Sequence, residues 1–148
     1  VIPQNTISNN NGYGIRIAGN AKQVLVANTA IGTGSIIEKT EEKFGNAQGG
    51  IFVGGNSNAI TLGDSSGQGN ADLVIANNSG NGLTIEGTLN NQLSNTVFKN
   101  NTEYGLSFLG LNRIEADQQI NQGVTYLDNS FGAVAIAPGW ANLEPRSR

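Results

Sequence analysis

Residues 77–87 read NNSGNGLTIEG: two asparagines, a short Gly-containing step, then two apolar residues bracketing a threonine. Leu83-Thr84-Ile85 alternates as a short strand with one face inward. The same phrase recurs along the sequence. A Gly or Ala followed by two apolar residues that bracket one other residue aligns five segments: Gly14-Ile15-Arg16-Ile17, Gly50-Ile51-Phe52-Val53, Gly82-Leu83-Thr84-Ile85, Gly105-Leu106-Ser107-Phe108 and Ala133-Val134-Ala135-Ile136. Steps of 36, 32, 23 and 28 residues separate the leading positions. Five residues before each first apolar position stands an asparagine: Asn10, Asn46, Asn78, Asn101 and Asn129. Three residues before that asparagine, four segments carry Ile7, Ile75, Phe98 and Tyr126; the remaining one carries Lys43, with Phe44 beside it.

A fixed asparagine with variable spacing elsewhere describes a coil wound round one constant corner, with insertions at the others. Long 3.6-period stripes are absent, which excludes helical bundles. Paired strands with two-residue turns are absent too, which argues against a hairpin sandwich. The pattern predicts an all-β fold, a right-handed parallel β-helix of about five turns over residues 1–141, with 142–148 as a loose tail. Successive turns of such a coil lie about 4.8 Å apart. Stacked corner asparagines can then form a structural ladder, each side-chain amide donating to one neighbour and accepting from the other.

Composition agrees. The 148 residues include 21 Gly and 22 Asn, the residue types that tolerate left-handed backbone at corners. At 37% apolar, with those residues in a period-2 order, the protein is not a disordered low-complexity segment. Net charge is −3 and the eight Lys and Arg are scattered, so no basic face for nucleic acid is expected. No apolar run is long enough for a membrane span. Cys is absent, which removes disulfide and thiolate chemistry, and so is His, the commonest general base and metal ligand. The sequence lacks Met and opens at Val1 in what reads as an ongoing coil. It is therefore expected to be a piece of a larger protein, with further turns or domains as neighbours and coil ends prone to end-to-end association.

The strings NTISNNNGYGIRIAGN, NADLVIANNSGNGLTIEGTLNNQLSNTVFKNNTEYGLSFLG and GVTYLDNSFGAVAI resemble the parallel β-helix repeats of the pectate-lyase-like superfamily. They are similar in particular to Asn/Gly-rich repeats of large secreted or surface bacterial proteins. The resemblance covers roughly residues 5–137. It implies the fold and a secreted or cell-surface location. It leaves the activity open, because members include pectate lyases, polygalacturonases, alginate epimerases, phage tailspikes and adhesins.

Two further strands per turn are expected. One follows nine residues after the first apolar position: Val24-Leu25-Val26, then Ile60-Thr61-Leu62, with Leu93 and Ile114 as the nearest later matches. The other leads into the Asn corner: Leu73-Val74-Ile75, Thr96-Val97-Phe98 and Val124-Thr125-Tyr126. Insertions then fall between these two, at Ala27–Gly45 in the first turn and Gly63–Asp72 in the second. Ser35 with Glu38, and Asn112 with Glu115, are capping-box signatures for short helices. Pro138-Gly139-Trp140 would close the end of the coil.

The catalytic patterns that the resemblance implies do not appear. Asp64, Asp72, Asp117 and Asp128 are isolated rather than clustered, and the His-containing motifs of hydrolases and epimerases have no counterpart. Asp64 and Asp72, with Glu41 or Glu42, are the only candidates for a calcium site, and no other cofactor is expected. The outward residues Arg16, Phe52 and Thr84, with Glu86 just beyond, form the candidate ligand surface, where Phe52 beside Arg16 would suit a sugar ring. The reading is a non-catalytic structural or adhesive module in contact with polysaccharide. The alternative is part of a polysaccharide-acting enzyme whose active site lies outside this segment.

Overall fold

A computed structural model describes residues 5–33, 45–64 and 72–137. Among these residues thirteen short strands form three sheets, accompanied by one helix, and every strand pairing is parallel. Sheet I stacks β1 (Asn5–Ile7), β4 (Thr29–Ile31), β7 (Leu73–Ala76), β10 (Thr96–Lys99) and β12 (Val124–Leu127) in that order. Sheet II stacks β2 (Tyr13–Ile17), β5 (Gly49–Val53), β8 (Leu83–Glu86), β11 (Tyr104–Leu109) and β13 (Gly132–Ala137). Sheet III holds β3 (Leu25–Val26), β6 (Thr61–Leu62) and β9 (Gln92–Leu93). The backbone visits sheets I, II and III in turn and then returns to I, so each strand pairs with its counterpart from the previous round.

The aligned triplets are the strands of sheet II, and their register is the one the repeat specifies. Ile15 pairs with Ile51, Ile51 with Leu83, Leu83 with Leu106, and Leu106 with Val134. Ile51, Val53, Leu83, Leu106 and Phe108 are wholly buried, and Ile31, Ile75 and Phe98 from sheet I are buried opposite them. Removing each such residue from water is worth roughly 1.5–3 kcal/mol. Tyr126 continues the sheet I column by stacking on Phe98 at 5.5 Å.

Corner geometry follows from residue type. Asn9, Asn77, Asn100 and Asp128 each stand just before a ladder position and hold φ between 54° and 63°. That left-handed conformation is one Asn and Asp tolerate, because their short polar side chains bond locally. At the ladder itself, Nδ2 of Asn10, Asn46, Asn78 and Asn101 donates to Oδ1 of the next member at 2.8, 2.9, 3.1 and 2.9 Å. The backbone N–H of each donates to the same oxygen. The second Nδ2 proton of Asn46, Asn78, Asn101 and Asn129 goes to the carbonyls of Ile7, Ile31, Ile75 and Phe98.

Two expectations are corrected. The repeat spacing puts the first insertion ahead of the strand that leads into the Asn corner, but β4 shows that strand already made at Thr29–Ile31. Ile31 pairs with Ile7 and Ile75 and fills the inward slot assigned to Lys43. The long insertion therefore enters after sheet I, where no ladder hydrogen bond has to be broken to admit it. In the fourth round, Ile120 rather than Ile114 bridges to Leu93; Ile114 sits 68% exposed on the helix. That helix, α1 (Arg113–Asp117), is the one the Asn112–Glu115 box announces, with both reciprocal bonds at 2.9 Å. The Ser35–Glu38 box, Glu41, Glu42, the residues between Asp64 and Asp72, the Pro138–Trp140 closure and the tail lie outside the described residues.

A second polar column lies outside the repeat pattern. Asn91 accepts from the backbone of Ile60 at 3.2 Å and donates to Thr88 Oγ1 and Gln119 Oε1 at 2.9 and 2.7 Å. Gln119 in turn donates to the carbonyls of Thr88 and Glu115. The residue leaving α1 thus replaces an asparagine at this corner. Among the described residues no helix is long and apolar enough to cross a membrane.

Candidate functional site

The outer face of sheet II carries the predicted surface residues. Strand alternation turns one column inward and the next outward. The outward column runs Arg16, Phe52, Thr84, Ser107 and Ala135, each paired in register with the next. Arg16 is exposed and lies over the Phe52 ring at 5.3 Å from its centroid, a cation–π geometry. Thr84 is only 6% exposed, and its hydroxyl accepts from Asn81 at 3.3 Å. Glu86 is exposed in the adjoining column, in register with Leu109.

Aromatic residues outside the aligned triplets complete this face. Tyr13 contacts Phe52 with ring centroids 5.4 Å apart, and Tyr104 meets Phe131 edge-on at 5.6 Å. Both tyrosines lie toward a glycine of the following strand. Tyr13 pairs with Gly49 and Tyr104 with Gly132, and a Cβ on Gly49 would sit 3.0 Å from the Tyr13 ring. A missing side chain on one strand makes room for the ring of its neighbour. Phe131 is 62% exposed. Phe52 on β5 and Phe131 at the start of β13 are three strand steps apart, on the order of 14 Å along the stack. Between them stand the half-buried Asn81 and the buried Thr84 and Ser107, all small and polar. The signal was legible, because Tyr precedes the strand-opening Gly in the first and fourth segments and Gly takes that place in the second and fifth.

The acidic pair is arranged differently. The Asp72 carboxylate accepts the backbone N–H of Asp64 at 2.9 Å, and Asn95 donates to the Asp64 carbonyl. The two therefore pin the mouth of a loop whose interior lies outside the described residues. Among the described residues no three His, Cys, Asp or Glu residues converge as metal ligands. Two other carboxylates have structural partners: Glu115 caps α1, and Asp117 makes an exposed 3.4 Å pair with Arg113. Such an exposed pair is worth about 0–1 kcal/mol. A depression of about 470 Å³ opens elsewhere, beside β9 of sheet III, lined among the described residues by Gln92, Ser94, Asn121 and Gln122, none of them ionisable. What the outer face of sheet II offers is two aromatic stacking surfaces, Tyr13–Phe52 and Tyr104–Phe131, with the Arg16 cation over Phe52. Comparison with family models, curated proteins and solved structures finds no match to this protein.

Proposed function

We propose that the three parallel stacks are the faces of a right-handed parallel β-helix serving as a non-catalytic module of a secreted or cell-surface protein, and that the outer face of sheet II contacts polysaccharide. The handedness rests on the general preference of parallel crossovers. The observation that carries the ligand reading is the pair of aromatic clusters, Tyr13–Phe52 with Arg16 and Tyr104–Phe131, set on one face at a multiple of the strand spacing. A glycan laid along the stack would meet one coil per strand step and could place pyranose faces on both clusters. Arg16 would favour an acidic sugar at its end.

The test is binding of the protein to a panel of neutral and acidic polysaccharides, with and without calcium, each glycan being checked for cleavage. Saturable binding without turnover is expected, weakened about tenfold by Phe52→Ala and by Phe131→Ala separately, the loss of one stacking contact worth about 1.4 kcal/mol. Turnover sinks the non-catalytic reading. Binding that neither substitution changes removes the ligand from this face.

A further inference from the structure

Among the described residues the five strands of sheet II carry two charged side chains, Arg16 on β2 and Glu86 on β8. Arg16 lies over the Phe52 ring. Glu86 belongs to a round with neighbours on both sides, since β8 pairs with β5 and with β11. Two residues beyond Thr84, it turns to the same outward side of the strand. In the previous round that column holds Gly54. A Cβ on Gly54 would meet the Phe52 ring at 2.7 Å and the Glu86 Cβ at 3.7 Å. The ring and the Glu86 side chain therefore flank one bare glycine, which places a carboxylate at the rim of the aromatic stacking surface. Glu86 is exposed, and among the described residues its carboxylate has no hydrogen bond or ion pair.

Charge along this face is thus ordered by round: a cation on β2, an aromatic ring on β5, an anion on β8. Two strand steps, about 10 Å, separate the Arg16 and Glu86 strands. One sugar of an extended glycan is about as long as one strand step, so a chain that sets a carboxylate at Arg16 lays its next units beside Phe52 and Glu86. A neutral unit there meets a ring and a hydrogen-bond acceptor. A second carboxylate there meets a like charge, and at about 5 Å on a protein surface that repulsion weakens binding about threefold or more.

Building on the polysaccharide contact proposed for this face, we infer that Glu86 is a specificity-determining residue: the face takes glycans whose acidic sugars are set apart by neutral ones and disfavours glycans acidic at every unit. Arg16 attracts one carboxylate, Tyr13 and Phe52 receive the sugar face, and Glu86 penalises the next carboxylate along. Discrimination of this kind needs the repulsive group as much as the attractive one.

The experiment measures binding at low salt to two sets of oligosaccharides: oligogalacturonates, acidic at every unit, and gellan oligomers, whose uronates are separated by runs of neutral sugars. The unsubstituted protein, Glu86→Gln and Phe52→Ala are compared. Glu86→Gln keeps the shape of an exposed side chain, so the fold is retained. It is expected to strengthen oligogalacturonate binding at least about threefold and to change gellan binding by less than about twofold. Added salt should narrow that difference, because the Debye length is only about 8 Å at physiological ionic strength. Phe52→Ala should weaken both. If Phe52→Ala weakens both but Glu86→Gln affects the two glycans equally, or neither, the role of Glu86 is overturned and the contact at this face stands. If Phe52→Ala changes neither, or none of the three proteins binds either glycan, the ligand is removed from this face and the role of Glu86 falls with it.

Discussion

Asn78 shows how much one residue can hold. Its Oδ1 accepts from both the backbone nitrogen and Nδ2 of Asn46, at 3.0 and 2.9 Å, and its own Nδ2 donates to Asn101 and to Ile31. All of this is buried, so removal leaves donors with no water to replace the lost acceptor. Asn78→Ala is expected to destabilise the fold by about 2–6 kcal/mol, since two buried donors are orphaned at about 1–3 kcal/mol each. Urea unfolding measures this, and a loss below about 1 kcal/mol would show the ladder to be incidental. Tyr126 poses the reverse case, because its hydroxyl is buried with no hydrogen-bond partner among the described residues. Burial pushes its pKa from 10.0 up to about 12. A folded-state pKa above the unfolded value means the folded protein keeps its proton longer, so stability present below pH 10 falls as pH rises toward 12. Tyr126→Phe should be neutral or stabilising at pH 7 and should flatten that alkaline decline in denaturation curves. A variant that loses stability at pH 7 would mean the hydroxyl has a partner.

At the scale of elements, α1 leads into the place of a missing strand. Where a fourth strand of sheet III would stand, only Ile120 bridges to Leu93, and Gln119 beside it, just beyond the capped helical turn, engages Asn91 and Thr88. Asn112→Ala removes the cap and should cost about 1 kcal/mol. Gln119→Ala should cost more, because it strips a buried acceptor from Asn91 as well. Thermal melts of the two variants test the ranking, and a Gln119→Ala change milder than Asn112→Ala would make the helix, not the corner, the stabilising feature. These elements also mark what the sequence could and could not disclose. Sheet II was legible because inward apolar residues keep a fixed offset from the ladder asparagine, and the capping box was legible because its two partners are three residues apart. The strand β4 was not, because a long insertion separates Ile31 from Asn46 and breaks that offset. The Asn91–Gln119 contact was hidden for a related reason, since one partner comes from a helix and follows no repeat spacing. At the candidate site Arg16 and Phe52 were found through the triplets, whereas Tyr13, Tyr104 and Phe131 stand just outside them.

For the molecule as a whole, each round of backbone is bonded mainly to the rounds before and after it. Stability in such an array is close to a sum over rounds and their interfaces, so the rounds with two neighbours should open least often. The middle strands β7, β8, β10 and β11 each pair on both sides. Their inward residues Ile75, Leu83, Phe98 and Leu106 are wholly buried. At one end Ile15 of β2, and at the other Val134 and Ile136 of β13, are only partly buried and have strand neighbours on one side. Amide hydrogen exchange is therefore expected to be slowest in β7, β8, β10 and β11 and progressively faster toward β1, β2, β12 and β13. The Asn46, Asn78 and Asn101 backbone amides should follow the slow group, since each donates to a ladder oxygen of the next round. Because coupling passes through the ladder, Asn78→Ala should speed exchange on both sides of the substitution, in β5 as well as β11. Uniform protection from end to end would mean the array opens as one unit, and faster exchange confined to β8 would mean the ladder transmits no stability between rounds.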